Sequence, residues 1–230
     1  MMETPRLVRV RENILKRNDV LARSLRERFR SAGATVVSLV SSPGAGKTAF
    51  LERTLAALRP EHRVAALVGD LATDNDAARL ERARVPVRQI VTGTVCHLDA
   101  EMVERALDGW DLGNLDFLFI ENVGNLVCPS SYDLGEEMRA VLMSVTEGED
   151  KPLKYPTIFN TADLAILTKM DLAGAVEFDS GAAHRSLRSV RPGIPVLEVS
   201  AKTGQGMDCW FELLRSRSRR DRVQAKGLAR

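Results

Sequence analysis

No segment of the sequence stays apolar for the roughly 18 residues that a membrane-spanning helix needs, and its start, MMETPRLVRVREN, lacks the apolar stretch of a secretory signal. A cytoplasmic chain without membrane attachment is therefore expected. Cysteine is scarce and odd in number, three residues in 230, which argues against a disulfide framework and leaves reduced thiols for metal or redox chemistry. Excess charge is missing too. Lys and Arg total 33 against 31 Asp and Glu, a formal charge of +2, so composition favours neither nucleic acid nor a membrane surface as partner. There is no internal repeat and no low-complexity linker. What remains is 44% hydrophobic, enough to bury the core of one domain.

Residues from about 10 to 32 put Ile14, Leu21, Leu25 and Phe29 on one helical face among many charges, and Gly33 follows as a stop signal. Short apolar runs then alternate with helix-length segments: ATVVSLV (34–40), RVAALVG (63–69), VRQIV (87–91), LDFLFIE (115–121), AVLMSVT (140–146), LAILTK (164–169) and IPVLEVS (194–200). Runs of this length, rich in Val, Ile and Leu, predict an α/β fold with a mostly parallel sheet flanked by helices on both faces. The expected organisation is an amino-terminal amphipathic helix (1–33), one α/β domain (34–214) and a basic, solvated tail (215–230).

Directly after the first expected strand stands Ser41-Ser42-Pro43-Gly44-Ala45-Gly46-Lys47-Thr48, leading through Ala49 into the helical run AFLERTLAAL. This satisfies G-x-x-x-x-G-K-[ST] except for Ser41 at the first position. A chain wrapping a triphosphate must aim successive backbone N–H groups inward, and Gly44 and Gly46 permit that geometry. Lys47 would reach the β- and γ-phosphates, and Thr48 would offer a hydroxyl to Mg²⁺. A P-loop NTPase fold follows.

The strand LDFLFIE ends in Glu121, with Gly124 three residues on. A carboxylate there would hold Mg²⁺, and a glycine N–H nearby would sense the γ-phosphate. Asp70, ending the second strand, is a further Mg²⁺ or water-positioning candidate, with Asp76 behind it; acidic residues opening a helix also simply complement its dipole.

For the base, Thr168-Lys169-Met170-Asp171 follows the strand LAILTK and looks like the guanine motif N-K-x-D with Thr for Asn. An Asp carboxylate accepts from guanine N1–H and N2–H₂, donors that adenine lacks on that edge. The stem of Lys169 would lie along the base. Ser200-Ala201-Lys202, after the last strand, resembles the loop that meets guanine O6 through its backbone. GTP is therefore the expected nucleotide.

Two cysteines sit in suggestive places. Cys96-His97 follows VRQIV, and Cys128 lies seven residues beyond Glu121. Thiolate and imidazole suit Zn²⁺, Ni²⁺ or Cu⁺ and reject Mg²⁺ and Ca²⁺. Three ligands fall one short of a structural zinc site, which a symmetric dimer could complete. The residues alone equally allow buried cysteines without a metal. Because Cys128 is four residues past Gly124, a loop that rearranges on hydrolysis would move a metal ligand. Cys209, beside Trp210, reads as core; His62 and His184 have polar neighbours and no assigned role.

Together, SSPGAGKT, GDLATDNDAAR, CHLDAEM, FIENVGNLVCPSSYDLGE, VTEGEDKPLKYP, TKMD and SAKTGQGMD resemble the hydrogenase/urease nickel-incorporation GTPases, specifically the hydrogenase-maturation branch. The resemblance spans about residues 10 to 214. It implies a dimerising GTPase that binds nickel or zinc through Cys96, His97 and Cys128 and delivers nickel to a hydrogenase large subunit beside a zinc-containing maturation partner. Hydrolysis should be slow, since neither an arginine finger nor a catalytic glutamine can be assigned. The start METPRLVRVREN has no Cys cluster or His-rich stretch, so nickel storage is not expected. Lys151 and Lys154 of KPLKYP are candidate contacts to nucleotide or a second subunit, with ordinary surface lysines as the plainer reading. Two other functions compete: a GTP-gated assembly scaffold with purely structural cysteines, and a small-molecule kinase, which Asp171 opposes.

Overall fold

The computed structural model describes residues 6–70, 80 and 83–218. After the long helix α1 (Arg6–Ala32), the chain runs β1 (Thr35–Ser41), α2 (Lys47–Leu58), β2 (Val64–Asp70), β3 (Val87–Val91), α3 (Ala100–Ala106), β4 (Phe117–Glu121) and β5 (Met138–Ser144). Then come α4 (Lys151–Lys154), α5 (Pro156–Thr161), β6 (Leu164–Thr168), α6 (Ser180–Val190), β7 (Val196–Glu198) and α7 (Met207–Arg217). Among the described residues no helix is long and apolar enough to cross a membrane.

The seven strands form one sheet in the order β3-β2-β4-β1-β5-β6-β7, with every pairing parallel. Every residue of β1 and β5 is buried, which is why these strands read as largely apolar stretches without a polar residue at every second position. Their side chains still alternate between faces. Val37 and Leu39 join Phe50, Leu51, Leu55, Trp210 and Leu214 under α2 and α7. Val36 faces Leu25 and Phe29 of α1 and Val103 of α3, while Val40 and Val141 meet Phe159 and Leu187 of α5 and α6. Trp210 seals the first layer, its ring tilted at 45° against Phe50 with centroids 5.1 Å apart and its indole N–H donating to Thr54 Oγ1 at 3.0 Å.

Four expectations need correction. The covered stripe of α1 is Asn18, Ala22, Leu25 and Phe29, while Ile14 is 52% exposed, one helical turn before Asn18, where the hydrogen bonds from α1 to Ala100 and Asp133 begin. The run AVLMSVT ends as a strand at Ser144, whose side chain forms a capping box with Glu147 and turns residues 145–147 into a 3-10 helix. Cys209 is exposed, since the helical repeat that buries Trp210, Met207 and Leu214 turns position 209 outward. His62, given polar neighbours by the sequence, is buried with its ring edge-on to Phe117.

Candidate nucleotide cleft and thiol cluster

The turn between β1 and α2 lies at the carboxyl end of the central strand, where open α/β sheets bind ligands. Gly44 and Gly46 take φ of 75° and 91°, a backbone that other residues rarely adopt, and Gly46 opens α2. Ser41, the departure from the motif, ends β1 without a positive φ. Its hydroxyl donates to Ser42 O at 2.6 Å and accepts from Lys47 Nζ at 3.1 Å. Ser42 and Ala45 are buried within the turn.

A cleft of about 470 Å³ above the turn is lined by Pro43, Gly44, Gly46, Lys47, Thr48, Ala49, Asp70, Glu121, Val123 and Gly124. Thr48 Oγ1 donates to Glu121 Oε1 at 2.7 Å, so hydroxyl and carboxylate oxygens, the donors that suit a hard divalent cation, meet beside Lys47. Gly124 comes close because it has no side chain: a Cβ there would stand 3.0 Å from Pro43 Cα. Asp76 lies outside the described residues.

A second cleft of about 240 Å³ adjoins the first, sharing Gly46 and Ala49, and is lined also by Thr168, Lys169, Asp171, Ala201 and Lys202. Thr168, standing where the motif has Asn, donates its hydroxyl to Ala45 O at 2.7 Å and so ties β6 to the turn. Lys169 adopts φ of 60° and donates from Nζ to Gly44 O at 2.7 Å. Ser200, fully buried, donates to Asp171 Oδ1 at 2.6 Å and fixes that carboxylate at the rim. Lys151 and Lys154 instead pair within the chain, with Glu147 at 3.0 Å and Asp150 at 2.8 Å.

Cys96, His97 and Cys128 converge, with one donor atom from each lying within 4.8 Å of the others. The two sulfurs are 2.9 Å apart, and neither is in a disulfide. His97 stacks on Tyr132 at 3.9 Å. Burial pushes its imidazole below the usual range, against the pull of Asp99, which favours the neutral form that carries a lone pair for a metal. Two thiols and an imidazole fit a borderline-soft divalent ion.

Residues that no local motif signals hold this cluster. Asn18 of α1 donates to Asp133 O and accepts from Ala100 N–H, both at 2.9 Å, joining the stretches that leave Cys128 and His97. Arg26 Nη2 reaches Asp133 Oδ1 at 2.6 Å. Burial opposes charge on Asp133, yet Arg26 and the Gly135 amide hold its carboxyl below the usual range. Leu98, fully buried, lies so close to Gly69 that a Cβ there would stand 2.8 Å from its side chain. Gly69→Ala should therefore destabilise the fold by about 1–3 kcal/mol through overpacking, read as a lower denaturant midpoint; an unchanged midpoint would mean Leu98 has room to move.

The family model described as "CobW/HypB/UreG, nucleotide-binding domain" matches residues 35–198. The hydrogenase maturation factor HypB of Azotobacter vinelandii is 48% identical over 221 residues, 96% of this chain and 73% of that one. The crystal structure of HypB from Helicobacter pylori in complex with nickel superposes with a TM-score of 0.83 at 40% identity, over 90% of this chain and 96% of that one. HypB from Archaeoglobus fulgidus gives 0.81 at 38%, over 87% and 98%. With the phosphate turn, the Asp171 rim and the thiol cluster all inside or beside that matched span, the chain belongs to the CobW/HypB/UreG family, on its HypB branch.

Proposed function

We propose that this chain is a cytoplasmic GTPase and metallochaperone that binds nickel, or zinc in its place, through Cys96, His97 and Cys128. It inserts nickel during [NiFe] hydrogenase maturation, with release of the metal set by nucleotide state. The observation that carries the reading is the single loop from Glu121 to Cys128, which packs Gly124 on Pro43 of the phosphate turn and touches Cys96 with its terminal sulfur.

The residue roles follow from chemistry. Backbone N–H groups from Ser42 to Ala49 cradle the phosphates, and Lys47 neutralises the β- and γ-oxygens. Thr48 and Glu121, with Asp70, would hold Mg²⁺, which supplies charge neutralisation to the phosphates when bound. Asp70 and Asp76 serve as candidates to orient the attacking water. Gly124 senses the γ-phosphate, while Lys169, Asp171, Ser200, Ala201 and Lys202 enclose guanine. Residues 34–214 form the working GTPase domain, 1–33 its leading helix and 215–230 a basic tail. A homodimer completes the coordination of the metal. The partners are a zinc-containing maturation protein and the hydrogenase large subunit, with neither nucleic acid nor membrane involved.

The test is titration with Ni²⁺ and Zn²⁺ in the GDP state and with a non-hydrolysable GTP analogue, measuring mass at each point. Affinity should differ between states by about 5- to 150-fold, the usual range for coupled sites. Equal affinity in the two states would remove the coupling, because a ligand shifts an equilibrium only through differential binding.

A further inference from the structure

Cys128 shares a loop with Gly124, but Cys96 and His97 belong to a different segment, which follows β3. Three contacts join that segment to the phosphate cleft. Asn122, buried next to Glu121, accepts through Oδ1 from the Leu98 N–H at 3.0 Å and from the Val123 N–H at 2.9 Å. Asn125, between Gly124 and Cys128, donates from Nδ2 to Cys96 O at 3.2 Å and accepts from the Val127 N–H at 2.8 Å. On the other side, Leu98 is packed on Gly69, the neighbour of Asp70. The backbone before and after His97 is therefore tied to the loop that bears Glu121 and Gly124, and the buried Leu98 side chain is packed against Gly69. If that loop shifts, the Leu98 amide either follows its acceptor or is left buried without one, and following costs less.

We propose that Asn122 and Asn125 are positioning residues that make the Cys96–His97 segment move with the phosphate-facing loop, so that nucleotide state resets all three metal donors and not Cys128 alone. This rests on the coupling proposed above and deepens it. The coupled element is concrete: two side chains, four hydrogen bonds across or within the loop, and one packed leucine.

The two asparagines can be tested separately. Asn122→Ala strips the acceptor from two buried amides and is the variant at risk of not folding. Asn125→Ser is milder, because a serine hydroxyl still serves the Val127 amide two residues on, as in an ST turn, yet is too short to reach Cys96 O. Ni²⁺ affinity and thiolate-to-nickel charge-transfer absorption are measured for the full chain with GDP and with a non-hydrolysable GTP analogue. In the original protein both readouts should differ between states. In Asn125→Ser the ratio of the two affinities should shrink by about 2- to 30-fold, and the two absorption spectra should converge. The proposal is overturned if Asn125→Ser keeps the original ratio, or if it weakens nickel equally in both states, as a merely structural role would. A ratio of one in the original protein is a different failure: it withdraws the coupling itself, and this inference with it.

Discussion

Asp171→Asn should lower GTP affinity by at least about a hundredfold while raising the preference for xanthosine triphosphate. The carboxylate is the one group at the rim of the base cleft able to accept from both guanine N1–H and N2–H₂. Hydrogen bonds to a charged acceptor contribute about 1.5–3 kcal/mol each, so losing the pair costs about 3 kcal/mol or more, a factor of about 10². An amide offers one acceptor and one donor. Xanthine presents N1–H beside a carbonyl where guanine has its amino group, so the asparagine matches it atom for atom. The substitution spares the local fold, because the Ser200 hydroxyl that now donates to Asp171 Oδ1 at 2.6 Å finds the same kind of acceptor in an amide oxygen. Competition binding with GTP, xanthosine triphosphate and ATP reads the outcome. Retained GTP affinity would mean that Asp171 does not read the base and would reopen the small-molecule kinase.

Much of this molecule is local in its logic, and that part was legible before any coordinates. A strand covered on both faces must be largely apolar, so the inner strands β1, β2, β4, β5 and β6 stand out as short runs rich in Val, Ile and Leu, while the edge strands β3 and β7 are only partly buried and carry polar residues among their apolar ones. The phosphate turn and the Thr168–Asp171 stretch are each a few consecutive residues whose backbone geometry follows from their own identities. Two side chains depart from what their sequence neighbours suggest, each for its own geometric reason. Ile14 shares the face of Leu25 but projects past the elements that shelter Asn18, and Cys209 adjoins Trp210 in sequence while pointing the other way. The strand end at Ser144 was a capping box lying unread inside an apolar run.

What no local pattern could supply is the support of the thiol cluster. Tyr132 under His97, Asn18 spanning 82 residues to Ala100 and 115 to Asp133, and Asn125 reaching back 29 residues to Cys96 are meetings made by topology. The sequence brought Gly124 and Cys128 together because they are neighbours, and it could propose coupling through that loop alone. The hydrogen bonds that enlist Cys96 and His97 needed the parallel placement of β2, β3 and β4, which sets their carboxyl ends side by side.

Cys128→Ser separates a metal ligand from a small buried hydrophobe more sharply than any other single change. Removing the thiolate should lower Ni²⁺ affinity by about a hundredfold, since thiolate and imidazole sites hold zinc with about 10–16 kcal/mol over four ligands, roughly 3 kcal/mol apiece. The thiolate-to-nickel absorption should fall with it. Stability should change by less than about 1 kcal/mol, because the side chain is half-buried and a hydroxyl is close to it in size. A cysteine serving only as packing predicts the reverse: an unfolding midpoint that drops and a nickel isotherm that does not move. Those two measurements on one variant therefore decide between a metallochaperone and an assembly scaffold with structural thiols. The scaffold reading wins if nickel binds the variant as tightly as it binds the original protein. The metal reading wins if affinity collapses while the fold holds.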